Sequence, residues 1–274
     1  MKLPDFLIIG AMKAGTTSLY KDLSTHPQVN FGKDKEPELL TTEDLGGLTS
    51  VYSEFYLNAT DDQRCGEAST AYAKLPDVVR IPQRARQLLG PDLKIIYMVR
   101  EPFARSQSHH HHLLARRLVG LSFEDALSAF PSIVDYSLYG MQLLAWQEYF
   151  PTRQIRVVRF EDYVDRPMLV LNGLLEFLDL DVNLVVPGKA ENVSVKARPV
   201  VGGWEPIRDS PIYQKVIRPA LSPTIRKNIK RVVLSKPKGF PQDPLPETKM
   251  HLSSIFQEDS KLLASILGTV CPVW

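Results

Sequence analysis

Two short segments hold the residues best suited to gripping an anion. The first is Gly10-Ala11-Met12-Lys13-Ala14-Gly15-Thr16-Thr17-Ser18, with two glycines, a lysine and three consecutive hydroxyls. Where a helix starts inside such a loop, its first backbone N–H groups and its dipole favour a phosphate or a related oxyanion. A nucleoside-triphosphatase loop reads GxxxxGK[ST]. Gly10 and Gly15 keep that spacing, but Thr16 stands at the lysine position and the lysine has moved to Lys13. The second segment is Arg100-Glu101-Pro102-Phe103-Ala104-Arg105-Ser106-Gln107-Ser108. A guanidinium offers two parallel donors to a terminal phosphate, and the Ser108 hydroxyl adds a third. Read from residue types alone, Arg100 is equally a structural partner for Glu101.

These residues need elements to hold them. Phe6-Leu7-Ile8-Ile9 is a short continuous apolar run ended by Gly10, as expected of a strand buried on both faces. Leu19, Tyr20 and Leu23 then fall at helical spacing until Pro27, so the opening reads strand, glycine loop, helix. Further strands are expected at 94–99 and 154–160, with helical patterns at 78–89, 105–118, 123–130, 139–150 and 253–268. Alternation of this kind implies crossover units, a mainly parallel sheet and helices on both faces, a three-layer α/β/α fold. In such sheets ligands sit beyond the carboxyl ends of strands, where Lys13 and Arg100 both stand. Residues 182–211 read as a loop, 212–235 as a basic helical stretch and 236–246 as a proline-stiffened connector. No linker divides the first 180 residues, so one domain of 274 residues is expected, with a core over about 5–200 and a helical C-terminal extension over about 205–274.

Composition removes several function classes. Lys plus Arg number 33 and Asp plus Glu 31, a formal charge of +2. That is no global basic field, so nucleic acid is not an expected partner. No stretch reaches the roughly 20 apolar residues of a membrane helix, and the apolar run before Lys13 is too short and interrupted to serve as a span or a signal peptide. Membrane insertion is therefore not expected. Cys65 and Cys271 lack metal-type spacing and read as reduced thiols in a cytoplasmic protein. His109-His110-His111-His112 puts two imidazoles on one helix face, but no neighbouring carboxylate or cysteine completes a metal site, so no metal is expected.

The ordered pair of segments resembles the sulfotransferases that use 3′-phosphoadenosine-5′-phosphosulfate, nearest the branch of the heparan sulfate N- and 3-O-sulfotransferases and their bacterial relatives. Lys13-Ala14-Gly15-Thr16-Thr17 is similar to the family's K-x-G-T-T segment, which cradles the 5′-phosphosulfate. Arg100 to Ser108 is similar to R-[DE]-P-x-x-R-x-x-S, whose first arginine and last serine hold the 3′-phosphate. The likeness continues through Ser122–Leu127, Leu138–Trp146 and Arg159-Phe160-Glu161-Asp162, covering roughly residues 5–200. It implies a P-loop-like fold, that phosphosulfate as donor and adenosine 3′,5′-bisphosphate as product. Lys13, Ala14, Gly15, Thr16, Thr17, Ser18, Arg100 and Ser108 would then bind the donor.

The resemblance extends to the acceptor side. Lys35-Glu36-Pro37-Glu38-Leu39-Leu40 is similar to the family's K-E-x-x-[FY]-[FL] segment, which makes Glu36 the expected general base and Lys13 the second catalytic residue. An acceptor hydroxyl must lose its proton as the new S–O bond forms, and a positioned carboxylate can take it. On composition alone the same run reads as a solvated charged turn. Gly66-Glu67-Ala68-Ser69-Thr70-Ala71-Tyr72 is similar to G-E-[KA]-[ST]-x-x-Y, with Ala68 where the heparan enzymes have lysine. That substitution weakens the expectation of a highly anionic polysaccharide. Glu67 either orients substrate or Lys13 or is a buried structural carboxylate; Tyr72 and His109 complete a tentative acceptor set, and His109 is the rival base. Lys196 and Arg198 fall where the family closes a loop over the nucleotide, or are solvated loop charges. The acceptor expected is a hydroxyl of a sugar, lipid or small metabolite. The rival readings are a nucleotide kinase and a non-catalytic nucleotide-binding module. Oligomeric state is not legible.

Overall fold

A computed structural model describes residues 2–184, 241–269 and 274. Five strands form one parallel sheet: β1 (Phe6–Gly10), β2 (Val29–Asn30), β3 (Arg64–Ala68), β4 (Lys94–Val99) and β5 (Ile155–Arg159). Their order across the sheet is β2-β3-β1-β4-β5. All five residues of β1 are buried, as a central strand covered on both faces requires.

The period of two along β1 and β4 divides the core into two layers. Leu7 and Ile9 join Ile95, Tyr97 and Val99 on one face. There they meet α3 (Ile81–Leu89), α7 (Tyr139–Gln147) and the C-terminal helix Pro246–Leu267, through Ile81, Ala85, Leu143, Trp146, Leu263 and Ile266. Phe6 and Ile8 join Ile96 and Met98 on the other face. There they meet α1 (Thr16–Leu23) and α9 (Pro167–Phe177), through Leu19, Leu23, Leu171, Leu174 and Leu175. The expected three-layer arrangement, with a wholly parallel sheet, is what the structure shows.

One packing detail ties the C-terminal helix to the sheet. The Asp259 carboxylate accepts the N–H groups of Gly140 (2.8 Å) and Met141 (2.9 Å), capping α7 from another element. Gly140 is required there, because a Cβ would lie 2.6 Å from the Asp259 carbonyl oxygen.

Several boundaries differ from the sequence expectations. β2 and β3 were not anticipated, nor were α2 (Leu48–Phe55), α8 (Phe160–Asp165) and α9. The helix expected from residue 78 starts at Ile81, after Arg80 in a left-handed conformation (φ 65°) and with Pro82 in its first turn. The helix expected at 105–118 is α4 (Pro102–Ala115), a turn earlier at both ends. The C-terminal helix starts at Pro246 rather than 253. The strand expected at 154–160 is one to two residues shorter, and the helix after it starts at once.

The chain falls into two compact units, divided within α4 at Ser106/Gln107, at Ile133/Val134 and within the C-terminal helix at Lys249/Met250. The sheet and both core layers belong to the first. In the second, α5 (Phe123–Ala129) starts on a Ser122 cap, and the Phe123 ring packs edge-on against His110 at 5.4 Å. Among the described residues no helix is long and apolar enough to cross a membrane. Cys65 is buried as a free thiol, and burial pushes its pKa up to about 11. Cys271, the basic stretch 212–235, Lys196 and Arg198 lie outside the described residues.

Candidate active site

The order β2-β3-β1-β4-β5 reverses between β1 and β4: after β1 the chain runs to the edge at β2, returns inward to β3 and then crosses to β4 on the other side. Ligands of open α/β sheets bind at that reversal, beyond the carboxyl ends of the strands. The Lys13 loop follows β1 and Arg100 follows β4, so both segments expected to bind an anion stand at this reversal.

The loop is pinned to its neighbours. Ala11 donates its N–H to the Met98 carbonyl at 2.5 Å, joining the loop to β4. Lys13 takes a left-handed conformation (φ 72°), a cost of about 1–3 kcal/mol for a non-glycine residue that the surroundings must offset. Gly15 caps α1 with φ 92° and, being glycine, brings no side-chain cap of its own. A Cβ on Gly15 would lie 2.6 Å from the Phe160 ring. Thr16 is buried, Ala14 is buried, Ser18 is half-buried and Thr17 is exposed.

Phe160 also serves the second segment. The Arg100 guanidinium lies 5.1 Å from the centre of its ring and donates to the Lys13 carbonyl at 3.4 Å. The arginine, the glycine loop and the ring therefore form one contiguous piece. Glu101 is not the partner of Arg100: its carboxylate accepts the N–H groups of Phe103 (2.9 Å) and Ala104 (2.6 Å), capping α4 behind Pro102. Arg105 is fully buried and donates from Nε to Ser137 Oγ at 2.6 Å. Ser108 and His109 lie further along α4, in the second compact unit; Ser108 is half-buried and His109 is 4% exposed. Among the described residues no cluster of three or more His, Cys, Asp or Glu stands where it could hold a metal.

The Glu36 segment is built on the end of β3, beside β1. The Glu36 N–H donates to the Ala68 carbonyl at 2.9 Å, and Ala68 pairs with Ile8 in register. Its Oε2 accepts the Thr70 N–H (2.7 Å) and the Thr70 hydroxyl (3.1 Å), while Oε1 pairs with the Lys35 ammonium. The side chain keeps 31% of its surface exposed, so it is held firmly yet reachable. Glu36 (φ 59°) and Glu38 (φ 52°) are both left-handed, a second concentration of strain.

Glu67 lies beneath this turn with 1% exposure. Its Oε1 accepts from the Ser69 hydroxyl (2.8 Å) and from the Tyr72 phenol, and its Oε2 accepts from the Tyr52 phenol (2.6 Å). Burial raises its pKa, and those three hydroxyls together with the Leu39 N–H pull it back toward the carboxylate. Glu67 and Tyr72, expected as substrate contacts, thus spend their polar atoms on each other and on the protein interior. Tyr52 and Tyr56 are buried in the core.

The sulfotransferase domain model matches residues 3–197. The chain belongs to the sulfotransferase family. Among its curated relatives are the human heparan sulfate glucosamine 3-O-sulfotransferase 3B1, 27% identical over 188 residues, and the Caenorhabditis elegans bifunctional heparan sulfate N-deacetylase/N-sulfotransferase 1, 28% identical over 193. The alignments cover 65% of this chain but only 47% and 22% of those proteins, so the chain spans less than half of their length. In structure, the sulfotransferase from Alicyclobacillus acidocaldarius superposes with a TM-score of 0.71 at 20% identity, covering 100% of this chain and 99% of that one. Mouse sulfotransferase SULT7A1 complexed with PAP gives 0.51 at 17%, covering 94% and 84%. These likenesses show the P-loop-like α/β fold of sulfotransferases.

Sequence reasoning about this sulfotransferase chain missed the roles of Phe160 and Thr70 and the capping role of Glu101. The last was legible, since a carboxylate just before Pro102 at the start of a helical run is an N-terminus signal. Phe160 acts through long-range packing that no local spacing announces.

Proposed function

We propose that this protein transfers a sulfuryl group from 3′-phosphoadenosine-5′-phosphosulfate to a hydroxyl of a sugar, lipid or small metabolite. The observation that carries this reading is the placement of the Lys13 loop and Arg100 on the two strands that flank the reversal of the sheet. The loop takes the 5′-phosphosulfate at the start of α1, with Lys13, the backbone from Ala14 to Gly15, and Thr16, Thr17 and Ser18 as its donors. Arg100 and Ser108 take the 3′-phosphate, which distinguishes this donor from ATP; Lys196 and Arg198 are assigned to the same end.

The acceptor oxygen attacks sulfur in line with the bridging phosphate oxygen. The new S–O bond forms, the old one breaks, and its electron pair leaves on the phosphate of adenosine 3′,5′-bisphosphate. The acceptor proton passes to the Glu36 carboxylate, which Thr70 and Lys35 hold in place. Lys13 and the loop amides balance charge growing on the leaving phosphate. Positioning and charge balance supply most of such a transfer, as they do for phosphoryl groups. Glu67 and Tyr72 support this site from below rather than touching the acceptor. The likeness to heparan sulfate enzymes supports a carbohydrate among the candidate acceptors. Ala68 in the place of their lysine supports one less densely charged than heparan sulfate.

Calorimetry with adenosine 3′,5′-bisphosphate against ATP tests the donor. The bisphosphate is expected to bind more tightly, and Arg100→Ala to lose about 1.5–3 kcal/mol of its affinity, the worth of a hydrogen bond to a charged group. Equal affinities for the two nucleotides would favour a kinase instead. Glu36→Gln is expected to keep bisphosphate affinity and lose roughly 10²–10⁴-fold in turnover. Wild-type turnover in that variant would move the base to a histidine.

A further inference from the structure

The backbone around Glu36 is held in an unfavourable conformation by a device that lies wholly behind it. Three consecutive N–H groups, those of Glu38, Leu39 and Leu40, point back toward Glu67. The Glu38 N–H donates to Ser69 Oγ at 3.0 Å, and that hydroxyl donates onward to Glu67. The Leu40 N–H donates to Tyr72 Oη at 3.0 Å, and that phenol also donates to Glu67. The Leu39 N–H faces Glu67 itself and favours its ionised form. A third hydroxyl, from Tyr52 on α2, closes the remaining side of the carboxylate.

The polarity of this arrangement follows from the inventory of donors. A carboxylate can only accept, so every hydroxyl facing it must donate inward. Each then turns its lone pairs outward, and on Ser69 and Tyr72 those lone pairs are what hold the loop amides. We propose that Glu67 is a positioning residue for the transfer: it sets the direction of these hydroxyls, which fix residues 38–40, and so aims the Glu36 carboxylate. The inference rests on reading Glu36 as the base. Glu67 touches neither donor nor acceptor. The segment that carries it also supplies the Ala68 carbonyl and the Thr70 donors that Glu36 uses directly.

Glu67→Gln is nearly isosteric but brings an N–H₂ face to a site of donors. On the Oε2 side that N–H₂ turns Tyr52 round; on the Oε1 side it turns Ser69 or Tyr72 round, which releases a loop amide. Turnover is read as bisphosphate release with the fastest acceptor from a panel of sugar hydroxyls, sterols and phenols. At saturating donor, Glu67→Gln should lose at least tenfold in kcat, with the Kd for adenosine 3′,5′-bisphosphate within twofold of wild type. Hydrogen exchange should quicken at residues 38–40 and stay unchanged at 10–18. Placed on Glu36→Gln, the substitution should cause no further loss, because its effect runs through Glu36. A merely structural role would add its loss to that of Glu36→Gln, and that outcome overturns the proposal. So does wild-type kcat in both Glu67→Gln and Ser69→Ala, or a bisphosphate Kd that weakens in step with kcat. Should Glu67→Gln fail to fold, Ser69→Ala removes only the Glu38 link and is held to the same outcomes. Full activity in Glu36→Gln alone would instead sink the reading of Glu36 as base, whatever Glu67 does.

Discussion

Three residues of the site, Lys13, Glu36 and Glu38, have left-handed backbones without being glycine. Such conformations survive where surrounding contacts over-determine them, and they cluster where geometry matters for function. Gly15 shows the complementary case, where only glycine fits. Gly15→Ala should cost about 1–2 kcal/mol for the conformation, before the contact with Phe160 is counted. Bisphosphate affinity measured by calorimetry should fall at least tenfold, and Gly15→Ala/Phe160→Leu should recover part of it. Unchanged affinity in Gly15→Ala would show that the ring does not pin the loop. The Lys13 loop and Arg100 were legible as anion chemistry because lysine, hydroxyls, glycines and an arginine occupy short contiguous runs. Glu36 was not legible in this way: Lys33-Asp34-Lys35-Glu36 has the composition of a solvated turn, and its anchors, Ala68 and Thr70, lie more than thirty residues away. Only the family resemblance singled it out. Glu67, open to two readings in the sequence, is buried with three protein hydroxyls as its partners.

Among elements, the central strands β1 and β4 announced themselves as unbroken apolar runs. β3 did not, because Arg64-Cys65-Gly66-Glu67-Ala68 holds no β-branched or aromatic residue, and local propensity points away from a strand. It is a strand because it lies between β2 and β1, and Gly66 is needed there because a Cβ would lie 2.2 Å from the Phe6 ring. The two-residue β2 is too short to leave a pattern. The junction of α7 with the C-terminal helix makes a prediction in pH. Burial raises the pKa of Asp259 above its ordinary value of 3.8, with the Gly140 and Met141 N–H groups pulling the other way. Its folded pKa thus exceeds its unfolded one. The stability it contributes is full below pH 3.8 and is lost as pH rises through the folded value. Urea unfolding of wild type and Asp259→Asn should therefore show the wild type's relative stability declining from pH 4 to pH 7. A difference that grows over that interval would show that the capping bonds outweigh burial.

For the molecule as a whole, the proposed donor site draws on loops after β1 and β4, so nucleotide binding should register as global stability. At a hundred times its Kd a ligand adds about 2.7 kcal/mol to the folded state. For a chain of this size that is roughly 5–11 °C in melting temperature. Adenosine 3′,5′-bisphosphate should produce such a shift, and ATP at equal concentration a smaller one; identical shifts would count against a dedicated 3′-phosphate grip. The carboxylate that finishes α7 has a further consequence, for the order of events during synthesis. It lies 119 residues beyond the first amide it caps. Until the ribosome has read those further residues, α7 has its sequence but not its lid. That face of the nascent sheet is not completed until Asp259 emerges, so this layer of the core closes on a segment that carries none of the proposed reacting groups.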